Sequence, residues 1–562
     1  VLRILKVVPK VHGDRPLRFL LVGPYDPHGG EYTFLAPPLG VWRLAGHLQI
    51  HGIDATVFDP NCCDVPALEA FATTVSSGPW DVIGVSTTAM TLRYDLQLVH
   101  LAHRLAPETL LIAGGIEVTF NPERAFALAP LELIVLGEGE KPLLEIAERL
   151  RAGAELLGIP GTAVRNDDRR VVRFPQQAMA ASELRTAIAA TPYERMPYRA
   201  YWRRLEDAYR VGALPVKADR EARLAEIRSV RLNTLNYCPM GCTFCSSTNF
   251  LTEAQGSVAR IARLDAGECL DMIKRIVAVQ PDTRTVIFQD DIFVFTQDRR
   301  LLTLCDEIVA AKASGSLPPD LQFISTNRID AMTPARLIAM RRAGFRVLGF
   351  GVENFSANVL REFNKGQIQR HIAPMLTEAL RLGITPFLDL ILTSPRSTLH
   401  DLAETVNQAF HWISRGCEVG VYPYVIPFSG AAFARDAELA AHTQFETVTV
   451  PGTAVSWLQA TKILPVDPIV REAILSIEFR YEHALARLHR SVAHLPSRVR
   501  SLLWIVCAEV TLRDTSLPMP PRADTVDALL GRLLIAGHRP AEWLEHTLAF
   551  PISSPVAVAA IS

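Results

Sequence analysis

Apolar positions in the first third of the chain come in short bursts separated by longer amphipathic stretches. Arg18–Val22, Asp54–Phe58, Asp81–Ser86, Leu110–Ala113 and Leu133–Leu136 have the length and the Val, Ile and Leu content of buried strands. Between them, Pro38–His51, Leu92–Leu105 and Lys141–Leu150 carry apolar residues at helical spacing, the first of them stopped by Gly52. Strands alternating with helices predict a doubly wound, Rossmann-like parallel sheet over residues 15–165, covered on both faces. The rhythm breaks over 166–225. There the charge runs Asp167–Arg170 and Asp219–Arg223, and the turns Pro192-Tyr193 and Pro197-Tyr198, predict a connecting segment. It resumes over 226–435, with strands expected at Val230–Thr234, Thr285–Phe288, Gln322–Ser325, Arg346–Phe350, Pro386–Leu392 and Glu418–Tyr424. Repeated βα units of this kind predict a partial (β/α)6 barrel, whose functional groups gather at the carboxyl ends of its strands. Residues 436–562 read mainly as a helical domain, with helices at Pro468–His494 and Val499–Leu512.

Composition narrows the classes. Apolar residues make up 49% and charged residues 21%, a globular profile rather than a disordered one. The formal net charge of −1 provides no global basic field, so no nucleic-acid partner is expected. No uncharged apolar run reaches the length of about 18 residues that a membrane span requires, and the first residues show no signal-peptide pattern. Of the nine cysteines, three cluster, Cys62 and Cys63 are adjacent, and Cys269, Cys305, Cys417 and Cys507 are scattered in apolar surroundings. That is no disulfide framework, and a reducing, cytoplasmic setting is expected.

The clustered three carry the chemistry. Asn236-Tyr-Cys-Pro-Met-Gly-Cys-Thr-Phe-Cys-Ser246 follows a predicted strand and spaces Cys238, Cys242 and Cys245 as Cys-x₃-Cys-x₂-Cys. Three close thiolates bind three irons of a cubane and leave the fourth open to a substrate. A zinc site would ask for a fourth ligand nearby, and none is present in the stretch. This pattern, with Phe244 as the aromatic before the last cysteine, resembles the signature of radical S-adenosylmethionine (SAM) enzymes. The resemblance implies a [4Fe–4S] cluster on Cys238, Cys242 and Cys245, with SAM on the open iron.

It continues downstream. Asp290 and Asp291, closing the second barrel strand, stand where the family receives the SAM ammonium. Asn327 and Arg328 follow the third strand. Gly351-Val-Glu-Asn354 is similar to the family's Gly-Val-Glu turn, and implies that Glu353 reaches the SAM ribose or carboxylate. Asn364-Lys-Gly366 and Tyr424-Val-Ile-Pro-Phe428 also look like the family, and read equally well as helix capping and strand termination.

A parallel α/β domain ahead of such a barrel resembles the cobalamin-binding subclass. The carrying residues are Pro37-Pro38-Leu39-Gly40, Gly84-Val-Ser86-Thr87-Thr88, Ala113-Gly114-Gly115 and Gly137-Glu138-Gly139-Glu140, each at a strand end or a helix start. Glycine there admits a large flat ligand, and the hydroxyls of Ser86, Thr87 and Thr88 are placed for its nucleotide tail. A generic nucleotide-binding or flavodoxin-like domain is the rival. Asp26-Pro-His28-Gly29-Gly30-Glu31 lies where some cobalamin domains supply a lower cobalt ligand, which makes His28 a candidate with Asp26 behind it.

The resemblance implies a C-methyltransferase: cobalamin takes a methyl group from one SAM, and a second SAM yields the radical that opens an unactivated carbon to it. A small-molecule substrate and an external one-electron reductant of flavodoxin or ferredoxin type follow. Relatives with the same apparatus cyclise, contract rings or oxidise without methyl transfer. A non-catalytic cobalamin and cluster sensor is a third possibility, against which the open iron argues. The residues do not identify the substrate or a catalytic side chain.

Overall fold

The computed structural model describes residues 15–29, 34–166, 168–210, 220–367, 369–489 and 497–514. Gly30, Glu31, Asp167, Asp219 and the part of the expected helical domain after Asp514 lie outside the described residues.

The first sheet contains β1 (Arg18–Val22), β2 (Asp54–Phe58), β3 (Val82–Thr87), β4 (Leu110–Gly115), β5 (Leu133–Val135), β6 (Thr162–Arg165) and β7 (Val171–Phe174). Its order is β2-β1-β3-β4-β5-β6-β7. The strands are parallel as far as β5, and alternate residues face opposite cores: Leu20 and Val22 pack on one side of β1, Phe19 and Leu21 on the other. The chain reverses direction across the sheet between β1 and β3, the switch point at which open α/β sheets bind ligands. Two of the departures from expectation bear on the sheet. β6 and β7 add antiparallel to the edge, so the sheet is mixed and runs into the expected connecting segment. A helix at Ala67–Ser76, passed over in the sequence, covers the β2–β3 crossover.

The second sheet is an open partial barrel of β8 (Ser229–Leu232), β9 (Thr285–Phe288), β10 (Gln322–Asn327), β11 (Phe345–Glu353), β12 (Thr385–Ile391) and β13 (Glu418–Tyr422), all parallel and in sequence order. Its helix-facing side is fixed by aromatic packing, with Phe288 stacked 4.1 Å from Phe293 and 5.9 Å from Phe345. The register of β11 slips between Gly351 and Glu353, and Glu353 adopts φ +62°.

Beyond the barrel, expectation and structure part at first. An antiparallel hairpin, β14 (Thr443–Thr449) and β15 (Ser456–Ile463), precedes the helices Pro468–His489 and Ser497–Asp514. The hairpin bridges the two sheets: Ile463 bonds to Val425 of the barrel side, while Gln459 Nε2 donates to Ala89 O after β3 at 3.3 Å. The helices cover β13, where the Val421 N–H donates to Ser501 Oγ (3.0 Å). Among the described residues no helix is long and apolar enough to cross a membrane.

Candidate active site

The cysteine loop leaves β8 and is held from several directions. Gly241 lies at φ +70°, where a side chain would be strained. Its N–H donates to Thr248 Oγ1 (2.8 Å) and its carbonyl accepts from Asn364 Nδ2 (3.0 Å). Thr243 donates its N–H to Phe363 O (3.1 Å) and its hydroxyl to Glu362 O (2.9 Å). The Phe244 ring meets Phe363 edge-on at 5.0 Å. Asn364, in the segment that reads from sequence equally as a family turn or as capping, thus clamps the loop.

Cys242 is buried, and Cys238 and Cys245 are half-buried. Burial pushes all three thiols up, Cys238 to about 12, so they stay protonated until a metal displaces their protons. Among the described residues no three His, Cys, Asp or Glu side chains are grouped for a single metal ion. A cubane asks for one thiolate on each of three irons, and this one loop supplies them.

The two aspartates after β9 have different surroundings. Asp290 is buried and accepts from Thr234 N (2.6 Å), Thr234 Oγ1 (2.6 Å) and Leu235 N (3.0 Å), which spends its carboxylate on the exit of β8. Burial raises it to about 6. Asp291 stands open to solvent beside Ser247, within Coulomb reach of Cys238 and Cys245. Arg328 is committed to Asp330 by two bonds (2.9 and 2.8 Å) and to Lys365 O (2.6 Å). Asn327 donates to Ser325, while its buried Oδ1 meets no hydrogen-bond partner.

Glu353 pairs with buried Lys365 at 2.8 Å. Gly351 keeps that pair possible, since a Cβ there would lie 2.6 Å from Glu353 Oε1. Sequence reasoning missed Asp389. It lies on β12 opposite Gly351 and Gly420, and burial, then Glu353, raise it to about 7. The signal was present: a lone acid inside the apolar run Phe387-Leu-Asp-Leu-Ile391.

At the carboxyl ends of β1, β3 and β4 a cavity of about 260 Å³ opens. Gly40, Ser86, Gly114, Gly115 and the Gly137-Glu138-Gly139 turn line it. Gly115 is required: at φ +104°, a Cβ would meet Thr87 O at 2.4 Å. The structure separates the three hydroxyls. Ser86 lines the cavity, but Thr87 is spent on Gly114 O (3.0 Å) and Thr88 bonds Thr91 (2.8 Å). Pro38 packs over Gly23 ahead of the helix that opens at Leu39. His28 is exposed, with Nε2 2.8 Å from Tyr94 OH, and Asp26 accepts the His28 backbone N–H (2.9 Å). The cavity's other wall comes from the barrel: Asn233, Leu235 and Asn236, on the segment that leads into Cys238, and Phe250 after the loop.

Family comparison agrees with this division. A B12 binding domain matches residues 27–147, and the radical SAM superfamily matches residues 232–409. The chain joins a cobalamin-binding domain to a radical SAM domain. Its cofactors are a [4Fe–4S] cluster, SAM and cobalamin. An uncharacterized methyltransferase, PH0819 from Pyrococcus horikoshii, is 22% identical over 380 residues, 66% of this chain and 73% of the relative. The anaerobic magnesium-protoporphyrin IX monomethyl ester cyclase of Synechocystis is 22% identical over 362 residues, 62% of this chain and 64% of the relative. In fold, the chain is similar to the radical SAM methyltransferase TsrM of Kitasatospora setae, solved with cobalamin and a [4Fe–4S] cluster. That match has a TM-score of 0.62 at 14% identity, covering 89% of this chain and 99% of that one. The cysteine loop, with its constrained Gly241, and the glycine-rimmed cavity fit these groups.

Proposed function

We propose that the protein transfers a methyl group from SAM to a carbon of a small molecule. The observation that carries this reading is a shared wall: the segment from Asn233 to Asn236 roofs the glycine-rimmed cavity and runs directly into Cys238. A corrinoid at the cavity and a cluster on the loop are therefore neighbours. When bound, the cluster and SAM supply hydrogen-atom abstraction, and the corrinoid supplies a transferable methyl group.

The chain's own residues divide the remaining work. Cys238, Cys242 and Cys245 hold the cluster. Asp291, the open carboxylate, takes the SAM ammonium in a charge-assisted bond. Glu353, held by Lys365, addresses the ribose or carboxylate end of SAM. Gly40, Ser86, Gly114, Gly115, Gly137, Glu138 and Gly139 hold the corrinoid. Asp389 and Tyr422 face the barrel interior and border the substrate. A flavodoxin- or ferredoxin-type protein supplies the electron.

The test is anaerobic reconstitution with iron, sulfide and hydroxocobalamin, then dithionite, methyl-labelled SAM and a panel of small molecules. Label on a product carbon is the expected result. A product formed with 5′-deoxyadenosine but without label supports the cyclising or oxidising reading, which the likeness to the Synechocystis cyclase favours. Failure to cleave SAM reductively would remove both.

A further inference from the structure

The cavity under the glycine rim is too small for a corrin ring, at about 260 Å³. It is also deep, reaching Leu21 and Val22 on β1 and Ile112 on β4. The macrocycle must lie outside it, and what enters is the nucleotide tail with its planar lower base. Most of the wall is apolar, as a flat aromatic base requires. One group breaks that rule. Glu138 is 7% exposed, lines the cavity, and neither of its carboxyl oxygens meets a hydrogen-bond partner.

An unpartnered buried carboxyl is costly and calls for a ligand. Its position is not accidental. Gln176 grips the Glu138 peptide from both sides, accepting from its N–H at 3.3 Å and donating to its carbonyl. Gln176 is itself fixed to Ala254 O at 2.8 Å. Nearby Arg43 is already paired with Glu140 at 2.6 Å. Arg43 also acts on Glu138 through space, and Asn236 lies beside the Glu138 carboxyl, so Glu138 is the less firmly held of the two acids.

We infer that Glu138 reads the lower base of the corrinoid. When the base leaves cobalt, the Co–N bond breaks and the electron pair stays on the ring nitrogen. That nitrogen becomes a hydrogen-bond acceptor with no partner. Glu138 shares one proton with it, so each satisfies the other. Benzimidazole and purine bases offer such a nitrogen, and a phenolic base does not. Glu138 is therefore a specificity-determining residue for the cofactor. The inference rests on cobalamin binding and is independent of whether methyl transfer follows.

The experiment compares three corrinoids on the full chain: cobalamin, a cobamide with a cresol-type base, and cobinamide, which lacks the base. Binding is measured at equilibrium, and the Co(II) form is examined by electron paramagnetic resonance. The preference for cobalamin over the phenolic cobamide should be about tenfold greater in the wild type than in Glu138→Leu, a ratio in which the cost of breaking the Co–N bond cancels. Nitrogen splitting from the base should be absent in the bound form. Glu138→Leu should weaken cobalamin by the same factor and leave cobinamide unchanged; Glu138→Gln, which keeps a donor, should fall between. A Glu138→Leu variant with an unchanged ratio of cobalamin to phenolic-cobamide affinity overturns the inference. So does retained nitrogen splitting, or an equal loss for all three corrinoids in Glu138→Gln.

Discussion

Asp290 and Asp291 show how far adjacent side chains diverge at a strand exit. Asp290 closes three hydrogen bonds to the β8 exit, so Asp290→Asn should lower stability by about 1–3 kcal/mol, readable as a shift in the denaturation midpoint. Asp291→Asn touches no such network. It should leave the midpoint in place and weaken SAM binding about tenfold, as measured by isothermal titration. Equal midpoint shifts in both variants would remove the distinction. The sequence announced both acids but could not rank them, because burial is set by how the chain turns after β9. The cysteine triad was legible for the opposite reason: ligand spacing is a local property of the loop. Arg43 and Gln176 gave no local signal, since their roles are defined by Glu140 and Glu138, which meet them only in the folded chain.

At the scale of elements, Asp95 ties three of them together. It accepts from Tyr25 N after β1 (2.8 Å), from Thr88 N after β3 (3.4 Å) and from the Thr91 hydroxyl (2.7 Å) ahead of the Leu92–Leu105 helix. Burial raises its carboxyl from 3.8 to about 7. The folded chain therefore holds a proton there that the unfolded chain releases at lower pH. The stability from this group is full below about pH 4 and is lost as pH climbs through about 7. Between pH 5 and pH 8, Asp95→Asn should show a shallower fall in melting temperature than the wild type; parallel curves would refute the assignment. Five of the seven strands in the first sheet were readable from their apolar runs. The β14–β15 hairpin was not read, although Pro451-Gly452 and the alternating Ser456-Trp-Leu-Gln-Ala-Thr run mark it. Exposed strands of mixed polarity lack the unbroken apolar run that betrays a buried strand.

Across the whole molecule, the two cofactor domains meet at close backbone contacts. Gly430, at φ +86°, would place a Cβ 2.2 Å from the Phe120 ring, and beside it Ser429 Oγ accepts from Asn121 Nδ2 at 2.6 Å. Gly430→Ala should push the domains apart. Reductive SAM cleavage should persist while turnover of the cobalamin-dependent reaction falls at least tenfold; equal loss of both would show that the contact serves folding alone. This meeting of domains also explains why the order of units could be read along the chain but their shared wall could not: Asn236 and Glu138 line the same cavity from widely separated stretches.

The Gln176 clamp has a consequence for how the protein comes into being. The first domain leaves the ribosome before the residues that roof its cavity, Asn233 to Asn236 and Phe250, and before Ala254, which fixes Gln176. A nascent chain holding only the first sheet has an open-sided cavity and an unanchored Glu138. Stable retention of the cofactor is therefore expected only once the barrel is complete.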